Sequence, residues 1–250
     1  MKAIKYFALF LVVAVLCLMV IEPAFAGPGG KIARVMFETF WGRIALAVLT
    51  IILLPFILYV TIKEKMGERR ARKDLRLMAK YGGSFEWMNI KQRASDCFYR
   101  VHAAWKKEDV SEAAEFMTSW YWQNQQMVFL DRWEKEGLVN HCTVKRISGI
   151  RPLFFAHRSD SAPHEGSLLA ISITATMQDY LAERGTGKVV EGSKKFKPVE
   201  TIWSFALLDG KWKVSGIEEG DMALVYAKEM LDRPVLDEKV MADVREKARN

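Results

Sequence analysis

Hydrophobic and polar positions divide this chain into three regimes. Residues 44–62 are nineteen consecutive uncharged positions, and at about 1.5 Å of rise each they match a bilayer hydrocarbon core about 30 Å thick. Residues 6–21 form a second uncharged run, placed behind the positive Lys2 and Lys5. From residue 81 onward, apolar residues recur with helical or strand periods, which is the pattern of a folded domain.

The first run reads as a secretory signal peptide over residues 1–26. Ala24 and Ala26 put small residues at the −3 and −1 positions before Gly27, with the helix-breaking Pro23 upstream. An uncleaved first span is the other reading, and both give the same topology. Residues 27–40 are then a short extracytoplasmic segment, 41–62 a transmembrane helix and 63–80 a basic juxtamembrane linker. Pro55 removes one backbone donor from the span and predicts a kink there. A buried core helix is disfavoured, because soluble core helices rarely run so long without a charge.

Charge orients the span. Residues 63–80 carry Lys63, Lys65, Arg69, Arg70, Arg72, Lys73, Arg76 and Lys80 against Glu64, Glu68 and Asp74; the opposite flank, 27–43, has Lys31, Arg34 and Arg43 against Glu38. The richer positive flank resists translocation, so everything after Lys63 is expected on the cytoplasmic face. Of the chain's net +7, residues 63–80 supply +5 and residues 81–250 supply −1. A nearly neutral body argues against a nucleic-acid partner, whose binding face would be basic. The eight basic side chains are candidate contacts for anionic lipid headgroups, at about 1 kcal/mol per residue near the surface. An orientation signal with no lipid specificity is the competing reading.

The periods past residue 81 predict helices first and an antiparallel sheet after them, an α+β domain. Ile90, Ala94, Cys97, Phe98, Val101, Ala104 and Trp105 share one helical stripe. Asp109 and Glu112 have capping-box spacing, and a third helix is expected over residues 119–136, stopped by Gly137. Residues 139–157 predict one long bent strand or two short ones, interrupted at Gly149 and Pro152. Residues 167–181 alternate, with Leu169, Ile171, Ile173, Ala175 and Met177 on one face. Asp209-Gly210 between residues 198–208 and 211–217 predicts a hairpin with a type I′ turn. Residues 183–197 read as a polar loop, and the tail 220–250 as two helical pieces broken at Pro234.

Candidate chemistry is sparse. Cys97 and Cys142 form no CxxC pair and read as small core thiols in a reduced compartment. His141 and Cys142 are strand neighbours, so they point to opposite faces and cannot share a metal. No motif for a metal or cofactor is present. Gly185-Thr186-Gly187-Lys188 lacks the upstream glycine and following helix of a phosphate loop. Asp179-Tyr180 offers a carboxylate and a phenol for acid–base work, but its place at a strand end reads as a sheet rim. Tryptophan and phenylalanine dominate instead, with Trp105, Trp203, Phe205 and Trp212 as candidate core or pocket aromatics.

Some of these residues resemble a known family. Ala104-Trp105-Lys106-Lys107-Glu108-Asp109 is similar to that family's helix end, as is Phe116-Met117-Thr118-Ser119 just after it. Glu200-Thr201-Ile202-Trp203-Ser204-Phe205, followed by Gly210-Lys211-Trp212-Lys213-Val214 and Ile217, is similar to its closing hairpin. The family is the C-terminal domain of the tether subunit forty-four of the mitochondrial inner-membrane import motor, with its bacterial membrane-anchored relatives, and the likeness covers about residues 81–219. The resemblance implies the cone-shaped fold of nuclear transport factor two. It also implies a non-enzymatic scaffold binding lipid headgroups and protein partners at the cytoplasmic side of a bacterial inner membrane. The steroid isomerases of the same fold give the rival reading, an enzyme using the cone pocket with Asp179 as the nearest acidic base.

The orientation is checked with a reporter fused after Asn250. Activity of a cytoplasm-dependent reporter and silence of alkaline phosphatase are expected, and an active phosphatase fusion would reverse the topology.

Overall fold

The computed structural model describes residues 39–159 and 164–237. The signal peptide expected over 1–26, residues 27–38 of the segment expected after it and the tail beyond residue 237 lie outside them. The chain divides into two compact units, Met1–Ile62 and Lys63–Asn250.

A 39-residue helix, α1 (Phe40–Met78), opens the described part and continues through Pro55. Among the described residues it is the one helix long and apolar enough to cross a membrane. In the first unit its apolar side chains, Ile52, Phe56 and Ile57 among them, are exposed. Thr50 and Thr61 donate their hydroxyls to the carbonyls of Leu46 and Ile57, so neither presents an unsatisfied polar group to hydrocarbon. Exposed Trp41 and Tyr59 are eighteen residues apart, about 27 Å along a helix axis, the spacing of an interfacial aromatic pair.

The second unit is an α+β domain. Its four strands, β1 (Leu138–Ala156), β2 (Leu168–Glu183), β3 (Val189–Leu208) and β4 (Lys211–Glu219), form one antiparallel sheet in chain order. The helix α2 (Trp87–Lys106) buries Ile90, Ala94, Cys97, Phe98, Val101 and Ala104, the stripe read from the sequence. The alternating face of β2 is buried at all five expected positions. Asp209 and Gly210 take positive φ of 54° and 70°, as a type I′ turn requires.

Adjacent strand residues point to opposite faces, and β3 shows what covers each. Trp203 packs its ring 5.1 Å from Phe98 of α2. Ser204 hydrogen-bonds Tyr226 of the C-terminal helix α5 (Ala223–Asp232) on the other side. The second face is therefore covered too, which is why Ala170 and Ser172 of β2 are buried although the sequence placed Ser172 on a polar face.

Three expectations are revised. Residues 63–80 are not a linker. They continue α1 to Met78, and Ala71, Leu75 and Met78 belong to the core. Residues 183–197 are mostly strand, because main-chain pairing of Leu181 with Glu191 and Asp179 with Ser193 overrides their polar composition. The third helix is split into α3 (Ser119–Gln125), a π turn (Gln126–Leu130) and α4 (Asp131–Lys135). The Gln126 side chain is anchored at that break: its Oε1 accepts from Val110 N–H and its Nε2 donates to Asp131. The Asp109 carboxylate does cap, accepting from Ser111 N–H, but Glu112 pairs with Lys107 instead of closing the box. β1 is one strand, with irregular pairing near Gly149 and Pro152.

Trp203 is fully buried and its indole N–H is bonded to Thr201. Trp203→Ala is expected to cost about 3–5 kcal/mol, read as a lower thermal midpoint of the 63–250 unit. An unchanged midpoint would mean that the ring does not fill the core.

Candidate functional site

The structure sorts the eight basic candidates. From Lys63, itself half-buried, α1 has two faces. Gly67, Ala71, Asp74, Leu75 and Met78 are buried, while Lys65, Arg69, Lys73 and Arg76 are exposed along the other side and Lys80 is exposed in the turn after the helix. A Cβ at Gly67 would meet Ala227 Cα at 2.8 Å, so glycine is what lets α1 and α5 approach this closely.

Two of the eight are turned into the domain rather than outward. Arg70 forks onto both oxygens of Asp74, at 3.1 and 3.2 Å, and also donates to the carbonyl of Pro234 at 2.7 Å. Asp74 is only 2% exposed. Burial pushes its carboxyl above the ordinary value even against the hydrogen bond and charge of Arg70, so it needs that cation. Arg72 pairs with Glu68 at 3.0 Å and lies 4.8 Å over the Trp87 ring. Burial acts to raise the Glu68 carboxyl, but hydrogen bonds from Lys65 and Arg72 outweigh it and hold it below its ordinary value. Lys65, also bonded to Glu68, keeps its exposure. Arg69, Lys73 and Arg76 are exposed and have no ion-pair partner among the described residues. Beside them, a cleft of about 300 Å³ is lined by the apolar Leu75, Ala79, Phe85, Trp87 and Met88 and by Arg72, Arg76 and Glu86.

A three-way contact that the sequence did not reveal holds this helix to the sheet. Arg151 of β1 reaches Glu64 of α1 at 3.0 Å and Glu200 of β3 at 2.7 Å, and its Nε donates to Ser172 at 3.3 Å. Burial disfavours the Arg151 charge, but its bonds to Glu200 and Glu64 outweigh that and raise its pKa. The partners are 87 and 49 residues away in sequence, which no local pattern reveals.

The four aromatic candidates separate as well. Trp203, Phe205 and Trp212 are core, with Trp212 N–H donating to Ser84 O at 2.7 Å. Trp105 is half-buried and borders two adjoining cavities between the helices and the sheet. The inner one, about 160 Å³, is walled by Val101, Met177, Val199, Trp203 and Ile217, with His102, Asn140 and Asp179. The outer one, about 170 Å³, shares Trp105, Asn140 and Asp179 and adds Trp133, Glu191 and Gly192. Burial lowers the His102 pKa to about 4, against a hydrogen bond to the Phe98 carbonyl. It raises that of Asp179, with Glu191 adding to the effect and Asn140 and Lys197 opposing it. Asp179 is exposed at the strand end, as a rim position is, and also borders both cavities. Tyr180 stacks on His141 at 4.7 Å and, with Asp179, is among the residues lining the outer cavity.

Other candidates are internal to the structure. Burial pushes the Cys97 and Cys142 thiols up to about 12, which leaves them unreactive. The Gly185–Lys188 stretch is the β2–β3 turn, where Thr186 bonds Glu183 and accepts from Lys188 N–H.

The sequence profile of the Tim44-like domain matches residues 71–219, more than half of the chain. No curated protein matches the chain. Among solved structures, the intermembrane space region of the chloroplast protein ARC6 is 10% identical, with 52% of this chain and 96% of that chain covered and a TM-score of 0.36. AclR, a hydroxylase candidate from Streptomyces galilaeus, is 16% identical, with 64% of this chain and 97% of that chain covered and a TM-score of 0.22. At scores this low neither likeness informs the fold or the role.

Proposed function

The chain belongs to the Tim44-like domain family, and from that premise we propose a membrane-anchored, non-enzymatic scaffold. Its domain meets anionic lipid at the cytoplasmic surface of a bacterial inner membrane and holds protein partners there, in protein transport or membrane-complex assembly. The signal peptide over 1–26 and a cone-shaped curvature of the sheet belong to the same reading.

The observation that carries it is the division of the basic segment. Arg70 and Arg72 are used up inside the domain, whereas Arg69, Lys73 and Arg76 are left outward within one turn or two of each other, soon after the span in sequence. Aligned cations near a negatively charged leaflet are attracted at about 1 kcal/mol each. The neighbouring cleft, apolar with two arginines against the single carboxylate Glu86, keeps a net positive lining for an anionic headgroup beside its acyl chain. For protein partners, the supporting feature is Trp120 and Met127, which are 70% and 62% exposed and seven residues apart on the α3–π stretch. Exposed large aromatics of that kind are the usual anchors of interfaces.

The enzymatic alternative rests on Asp179. Its carboxyl is bonded to Asn140; of the other titratable groups lining the inner cavity, His102 is tied through Nδ1 to the Phe98 carbonyl at 2.7 Å and the Cys142 thiol is pushed up by burial. No observation favours turnover over binding.

Vesicle flotation of the 63–250 unit tests the lipid contact. The unit is expected to bind vesicles containing anionic lipid. Changing Arg69, Lys73 and Arg76 together to Gln should weaken binding by roughly two orders of magnitude at about 1 kcal/mol per charge. Salt at about 0.5 M, which shortens the Debye length to roughly half its physiological value, should weaken the unaltered unit. Equal binding by both proteins, insensitive to salt, would place the contact on an apolar surface and remove the basic face from the account.

A further inference from the structure

We propose that the paired cavities between α2 and the sheet bind a small organic ammonium that carries one hydroxyl on an apolar body about the size of one aromatic ring. Size comes first. The inner cavity is about 160 Å³ with five apolar walls, and an apolar cavity of roughly 150 Å³ is known to accept benzene. A longer acyl chain would not fit within it.

The outer cavity sets the charge. Leu181 pairs with Glu191 across β2 and β3, so Glu191 falls on the same sheet face as Asp179, two residues from Leu181. The irregular step between Met177 and Asp179 and the left-handed Gly192, with φ of 80°, make that placement. A Cβ at Gly192 would fall 2.4 Å from the Asp179 carbonyl oxygen, so no side chain is tolerated at the bulge. Two carboxylates therefore line the outer cavity, and no lysine or arginine is among its lining residues. Lys197 acts on Asp179 only from outside it. Beside them Trp105 and Trp133 lie edge to face at 5.8 Å, and an indole face next to a carboxylate is the environment that recognises an ammonium. Desolvation disfavours the Asp179 charge, and a cation in the cavity would relieve it.

The hydroxyl follows from two unused polar atoms. Trp105 Nε1 is buried with no hydrogen-bond partner among the described residues, whereas the N–H groups of Trp203 and Trp212 are both bonded. A buried donor without an acceptor costs about 1–3 kcal/mol, so an oxygen is called for. His102 binds a carbonyl through Nδ1, which puts the proton there and leaves Nε2 as an acceptor. His102 and Trp105 are three residues apart on α2 and so neighbours on its surface. A hydroxyl in the inner cavity can donate to His102 Nε2, and a small turn of the Trp105 indole, whose Nε1 is sealed from the cavity as it stands, would let it accept there as well, while the ammonium meets Asp179 and Glu191.

The test uses the full chain in a neutral maltoside detergent, following fluorescence of the cavity tryptophans with calorimetry as a check. The probes are 2-amino-1-phenylethanol, its neutral isostere 1-phenylpropan-1-ol and the anionic 3-hydroxy-3-phenylpropionate. Saturable binding of the amine is expected, at least about tenfold tighter than the alcohol, with none by the acid. Asp179→Asn and Glu191→Gln should each weaken the amine by about tenfold and leave the alcohol unchanged. Asp179 and Glu191 both lie at exposed strand positions, so each variant reads out binding separately from folding. Equal affinity for amine and alcohol, preference for the acid, or no saturable binding of any probe would overturn the proposal.

Discussion

Arg151 is shared between two carboxylates from opposite ends of the second unit's sequence, Glu64 on α1 and Glu200 on β3, with Ser172 completing the set. A half-buried guanidinium is costly to desolvate, and it persists here because its bonds to both carboxylates outweigh that cost. Removing any one member leaves the others incompletely paired. The contact therefore behaves as a latch on the segment of α1 that follows the span. Gly67 against Ala227 and Asp74–Arg70–Pro234 repeat the attachment further along the helix. The first turns of the domain are thus fixed to the sheet from Glu64 onward, not tethered loosely below it.

That fixation decides which charges are available. A flexible basic segment would present all eight cations to any anionic surface. A docked helix spends Arg70 on Asp74 and Arg72 on Glu68 and leaves a single outward line. In the proposed lipid contact, packing sets how many cations are available, and rigid attachment would lower the entropy lost on engaging them. The same docking covers the second face of the sheet together with α5, so that the first face is left to α2 and to the cavities beside it.

Much of this was legible in the sequence where the signal is local. The α2 stripe, the alternation of β2 and the Asp209-Gly210 turn each depend on neighbours within a few residues. The role of residues 63–80 was hidden because eight positive charges mask a weak stripe of Gly67, Ala71, Leu75 and Met78. Glycine and alanine carry little apolar signal, yet they are what a close helix crossing needs. Residues 189–197 were read as a loop because Gly192 and three lysines dominate them; their strand is made by main-chain pairing, which composition does not encode. Of the cavity polar groups, Asp179 was legible, since it follows the Leu169–Met177 alternation; His102 was not, because it sits one position off the buried stripe.

The central claim is that the helix following the span is an integral part of the domain, latched through Arg151. Amide hydrogen exchange on the full chain in neutral detergent, compared with Arg151→Met, tests it directly. Residues 64–78 should be protected to the same degree as α2 in the unaltered protein and should exchange markedly faster in the variant while α2 and β2 keep their protection. Fast exchange of residues 64–78 in the unaltered chain, or no difference between the two proteins, would contradict the account.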